Sequence, residues 1–168
     1  MDLRARAGTR DRAVHAAGHP RVPPPGPGLT GSVAPVEPRT LRGLIVDYGG
    51  VLDEPDGAAR LLDYARRAAG AGVRTALFSG AHAVPDECAA AFGTVLLGAV
   101  RGARKPSPDA FAAAAAELGL HPADCVVVDD LGACVRGAAA AGAVGVQHVD
   151  AGGTLAELEV LLGVPADA

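Results

Sequence analysis

A chain of 168 residues is about one domain's worth, which excludes a large multidomain enzyme. With 49% apolar and 20% charged residues it is too hydrophobic to stay unfolded, and no run approaches the ~20 apolar residues of a membrane helix. Residues 1–40 hold six Arg against Asp2, Asp11 and Glu37, giving +3, so residues 41–168 carry −7 of the total of −4; an acidic body without a basic stripe argues against nucleic acid as the main partner.

The apolar content is unusual. Five aromatics, no Trp and one Met leave Val, Leu and Ala to build the core, so backbones must pack closely. Cys88, Cys125 and Cys134 are odd in number and show no Cys-x-x-Cys spacing, which argues against a disulfide framework and a structural zinc site and for a reducing, cytoplasmic setting. The N-terminus lacks the apolar run of a secretory signal.

Seven Pro lie between Pro20 and Pro38, with no apolar periodicity of 2 or 3.6 residues, so residues 1–40 read as a disordered Pro/Arg-rich leader ahead of a core over 41–165. The leader is Arg-rich and acid-poor like an organelle transit peptide, but it has little Ser. A tail that binds a partner is a further reading of it.

From residue 41 the chain alternates short Val/Leu runs with Ala-rich helical stretches. Strands are expected at Leu44–Tyr48, Val73–Ser79, Thr94–Leu97, Cys125–Asp129 and Val144–His148. Helices are expected at Gly57–Ala69, Pro85–Ala91, Pro108–Leu118 with Ser107 as cap, Val135–Ala141, and Thr154–Leu162 with Thr154 and Glu157 as a capping box. This alternation predicts an α/β fold: a three-layer, Rossmann-like parallel sheet with helices on both faces and right-handed crossovers. Ligands in such sheets bind beyond the carboxyl ends of the strands.

Several strands deliver polar residues to that edge: Asp47, Ser79, and the pair Asp129-Asp130. A carboxylate at the end of an apolar strand is costly unless paired or bound to a cation, and a convergence of three points to a divalent metal. Magnesium suits carboxylate and carbonyl oxygens with waters. Lys105, the only lysine in the chain, and the Ser79 hydroxyl then suit a phosphoryl group, whose spread charge needs a cation and donors.

In order along the chain stand Asp47-Tyr48-Gly49-Gly50-Val51-Leu52, then Ser79, then Lys105-Pro106-Ser107-Pro108-Asp109-Ala110-Phe111, then Asp129-Asp130 placed 24 residues after the lysine. This series resembles the haloacid dehalogenase superfamily of hydrolases. The resemblance implies a small Mg²⁺-dependent hydrolase of phosphatase type, with Asp47 as nucleophile forming an aspartyl-phosphate and also binding metal. It further implies metal contacts from the Gly49 carbonyl and from Asp129 or Asp130, phosphoryl contacts from Ser79 and Gly80, and a Lys105 that holds the nucleophile and offsets charge.

The chain departs from the family pattern in three places. Family phosphatases usually carry a second Asp two positions after the nucleophile as general acid–base, and here that position is Gly49. Loss of such a group costs ~10²–10⁴ in rate, so the alternative is a catalytically impaired phosphate-binding or regulatory protein. Asp53, Glu54, Asp56 and His82 are the reserve candidates for the proton, although the three acids also suit a solvated turn. Gly80 stands where the family often has Asn, and Cys134 where an Asn or Asp often supports the metal loop; Cys134 reads as a packing residue. His82, His121 and His148 read as surface or loop residues.

Only 32 residues separate Asp47 from Ser79, where the family's usual cap does not fit, and the 26 from Ser79 to Lys105 leave little room for one in the other usual place. A capless site should be open, to a macromolecular substrate or to a partner subunit laid over it. Dehalogenases of the superfamily also lack the second Asp, but they carry caps and resemble this chain less.

Overall fold

The computed structural model of the protein describes residues 40–166, so all of the expected leader but Thr40 lies outside the described residues. Five strands, β1 (Gly43–Val46), β2 (Arg74–Ser79), β3 (Thr94–Leu97), β4 (Cys125–Asp129) and β5 (Val144–Gln147), form one sheet in the order β3-β2-β1-β4-β5. Every pairing is parallel. The helices are α1 (Ala58–Gly70), α2 (Asp86–Ala89), α3 (Pro108–Glu117), α4 (Gly132–Ala140) and α5 (Ala151–Leu162). None of the described helices is long and apolar enough to cross a membrane.

Strand periodicity divides the core between two faces. Leu44, Val46, Val126 and Val128 point to one side and pack with Leu61, Tyr64 and Ala68 of α1 and Leu155, Leu158 and Leu162 of α5. Ile45, Phe78, Cys125 and Val127 point to the other, against Ala110, Phe111 and Ala114 of α3 and Cys134 and Ala138 of α4. The three-layer parallel architecture expected from the alternation is therefore present. Strand order reverses between β1 and β4, the switch point beside which such sheets open a crevice.

Small residues in α3 and α4 let backbone approach backbone. A Cβ at Gly137 in α4 would overlap the Pro106 carbonyl oxygen and lie 2.9 Å from the Phe111 ring. Gly137→Ala is therefore expected to destabilise the fold by ~1–3 kcal/mol, because overpacking outweighs the ~1 kcal/mol that Ala gains over Gly in a helix. A thermal melt checks this; a melting temperature equal to or above the parent's would contradict the close approach.

Four elements differ from the sequence expectation by two residues or more at one end. β1 ends at Val46, two residues before Tyr48, and α2 is shorter than Pro85–Ala91. Helix α4 starts at Gly132 instead of Val135, its packing on α3 and β5 overriding the poor propensity of glycine. Helix α5 starts at Ala151, capped by Asp150, whose carboxylate accepts from Gly153 N at 2.8 Å. Thr154 is thus no cap: it lies inside α5, buried, with its hydroxyl 2.8 Å from His148 Nδ1. His148, expected at the surface, is buried by that contact. Ser107 does precede α3, but its side chain makes no capping hydrogen bond.

Candidate active site

The carboxyl end of β1 runs directly into the site. Asp47 N donates to Val128 O at 2.9 Å, which extends the β1–β4 ladder by one residue and sets Asp47 beside Asp129. Tyr48 N turns back to donate to Asp47 Oδ1 at 2.7 Å. On β4, Leu131 N donates to Asp129 Oδ1 at 3.0 Å, so the chain bends there before α4 begins.

Lys105 joins the two strands. Its Nζ lies 2.9 Å from Asp47 Oδ1 and 2.7 Å from Asp129 Oδ2, and 5.3 Å from the centre of the Phe78 ring. Both carboxylates are buried, Asp129 almost fully. Burial by itself would push the ammonium down, but the charges of Asp47 and Asp129 outweigh it and hold Lys105 above its ordinary value. Asp47 also lies above the usual carboxylate range, because burial, with help from the Asp129 charge, exceeds the pull of Lys105.

Asp130 completes a group of three: one carboxylate oxygen from each of Asp47, Asp129 and Asp130 lies within 4.8 Å of the others. Gly50 makes room for it. Its φ is +68°, and a Cβ there would collide with the Asp130 carboxylate, so only glycine satisfies both demands. Three carboxylates facing one ammonium leave an excess of negative charge, and an all-oxygen donor set of this kind fits a hard divalent cation.

A cavity of about 670 Å³ opens over this group. Asp47, Gly49, Ser79, Gly80, Lys105 and Asp130 line it; Asp129 lies behind, both of its oxygens engaged. Ser79 is buried at the end of β2, its Oγ accepting from Ala81 N at 3.2 Å. The residues expected to share one sheet edge are thus together. Neither the stretch from Asp47 to Ser79 nor that from Ser79 to Lys105 holds a further domain: the first contains a loop, α1 and β2, the second α2, β3 and a turn bridged between Val100 and Ala103.

Of the reserve proton donors only Asp53 lines the cavity, its Oδ1 accepting from Gly50 N at 2.7 Å. Glu54 faces a neighbouring groove, while Asp56 and the exposed His82 line neither. Cys134 reaches the cavity wall, but burial and the Asp129 charge push its thiol up to about 11, so it packs rather than reacts. Tyr48, Leu131 and Ala133 also form the wall. None of these three stood out in the sequence; the signal for Leu131 was a large apolar residue placed directly after two strand-end carboxylates.

Comparison with known proteins bears on the family and the fold. Among solved structures, an uncharacterized protein from Corynebacterium glutamicum is 37% identical, with a TM-score of 0.66, over 74% of this chain and 96% of that one. A predicted HAD-like family hydrolase from Porphyromonas gingivalis shares 16% identity and a TM-score of 0.52 over 65% of this chain and 91% of that one, a likeness of fold alone. A search of curated proteins found no match. The model of the haloacid dehalogenase-like hydrolases matches residues 33–142, which hold all four motifs, and on that match together with the fold the chain belongs to this family.

Proposed function

We propose that this hydrolase is a Mg²⁺-dependent phosphatase that works through an aspartyl-phosphate on Asp47. The observation that carries this reading is the Lys105 bridge between two buried strand-end carboxylates, with Ser79 in the same cavity. One oxygen of Asp47 is tied to Lys105, which orients the carboxylate as a nucleophile toward phosphorus. Ser79 Oγ–H and the Gly80 backbone donate to phosphoryl oxygens, while Lys105 offsets the charge that grows on them. Attack by Asp47 forms the new O–P bond as the ester bond breaks, and water then cleaves the aspartyl-phosphate to release phosphate.

Asp47, the Gly49 carbonyl, Asp129 and Asp130 would hold the metal, with Asp130 the carboxylate of the β4 pair that reaches the cavity. Bound there, Mg²⁺ supplies positive charge to the phosphoryl oxygens and lets the crowded carboxylates stay ionised. Hydrolysis of p-nitrophenyl phosphate is accordingly expected to depend on Mg²⁺: the initial rate falls at least ~10-fold on chelation and returns with added Mg²⁺. A rate unchanged by chelation would argue against a metal-assisted site.

Gly49 favours a second reading, that of a phosphate-binding protein with little turnover, since no side chain at that position can protonate the leaving group. Mg²⁺-dependent binding of a phosphate analogue, with no hydrolysis of any activated phosphate, would select this reading over the first.

A further inference from the structure

The wall of the candidate site carries information about what leaves the phosphorus. Around the polar floor, the cavity is bounded largely by carbon: Tyr48, Ala81, Pro106, Leu131 and Ala133. Leu131 is 57% exposed. Single exposed leucines are common, but this one stands at the cavity mouth, on the loop that also carries Asp130, where a ligand can cover it.

The charges around the cavity point the same way. Among the described residues Lys105 is the only cationic side chain on its wall, and its ammonium is already shared between Asp47 and Asp129. Asp53 faces the same space. Tyr48 and Asp53 also form the wall common to a second groove of about 370 Å³, which holds Glu54 and Glu87 and, among the described residues, no Lys, Arg or His. An anionic group beyond the phosphoryl would meet carboxylates on this side, with no cation of the described residues to receive it.

We propose, resting on the phosphatase reading above, that the cavity selects phosphomonoesters whose leaving group is apolar next to the ester oxygen and carries no second negative charge. Leu131 and Tyr48 cover the apolar part, and Asp53 turns a second anion away. Contact with one or two apolar carbons in such a pocket is worth ~10-fold or more in kcat/KM. Repulsion at the partly open mouth weakens as salt screens it.

The test compares kcat/KM for phenyl phosphate and 3-carboxyphenyl phosphate, two esters that differ by one carboxylate at similar leaving-group basicity, with acetyl phosphate as the small reference. Phenyl phosphate is expected to be preferred over its carboxylated analogue by ~10-fold, and the preference to shrink as ionic strength rises. Leu131→Ser should lower the ratio of phenyl phosphate to acetyl phosphate ~10-fold, and Asp53→Asn should bring the two aryl esters closer together. Equal use of the two aryl esters, a preference for the carboxylated one, or a Leu131→Ser ratio equal to the parent's overturns the proposal. Failure of the phosphatase reading looks different: no Asp47-dependent turnover of acetyl phosphate. In that event titration calorimetry of phenylphosphonate and 3-carboxyphenylphosphonate with Mg²⁺ reads the same preference, and its absence there overturns the proposal equally.

Discussion

Asp47→Asn is expected to lower kcat for p-nitrophenyl phosphate by at least ~10³-fold while leaving the protein at least as stable as the parent. The amide has nearly the shape of the carboxylate and keeps an oxygen for Tyr48 N, but it is no nucleophile toward phosphorus. Stability should follow the opposite trend. In the absence of metal Asp47 lies above its unfolded value of 3.8, so its ionised form opposes folding. That cost sets in as pH rises from the unfolded value through the folded one, and it is complete above the folded value. Removing the charge therefore relieves burial and the repulsion by Asp129, and these exceed the attraction by Lys105. Thermal melts with chelator at pH 7 should place the Asn variant at or above the parent. A variant that melts well below the parent would assign Asp47 a structural role, and one that retains its rate would remove it as nucleophile.

Gly49→Asp is expected to raise kcat for alkyl phosphates by ~10²-fold, the lower end of what a positioned general acid contributes. The backbone permits it. A Cβ at Gly49 meets nothing within 4 Å, and its φ is outside the positive range, in contrast to Gly50 next to it. Residue 49 lines the cavity, two positions after the nucleophile, so a carboxyl there can protonate the departing oxygen and then draw the proton from the attacking water. The gain should be small for acetyl phosphate and p-nitrophenyl phosphate, whose leaving groups depart without a proton. Gly49→Ala is the control for the side chain alone. Equal alkyl phosphate rates in the Asp and Ala variants would mean that the proton already comes from elsewhere, Asp53 being the side chain placed to give it.

How much was legible in the sequence can be followed residue by residue. The alternation of Val-rich runs with Ala-rich amphipathic stretches determined the parallel three-layer fold, because period-2 and period-3.6 patterns can bury their apolar sides together in few ways. The same pattern was enough to gather Asp47, Ser79, Lys105 and Asp130 around one cavity, since parallel strands all end on the same edge. Local chemistry misled where tertiary contacts compete with it. Thr154 with Glu157 has the form of a capping box, yet Asp150 takes the cap and Thr154 turns inward to His148, a residue six positions away whose burial only the packing of α5 on the sheet decides. Gly132 suggested a later start to α4 because propensity counts the glycine but not the neighbours that hold the helix.

Within the site, the sequence determined which polar residues share an edge, and only the tertiary structure decided what each one faces. Asp129 and Asp130 are adjacent and chemically alike, but one is buried against Lys105 and the other reaches the cavity over Gly50. Asp53, Glu54 and Asp56 stand in one turn, and only Asp53 lines that cavity. Tyr48, Leu131 and Ala133 gain meaning only as its walls. The physical reason is common to all of these. Periodicity and propensity are properties of short stretches and can be read along the chain. The direction of a loop side chain, and the charge or carbon it meets, depend on groups brought near it from distant strands by the packing of the sheet.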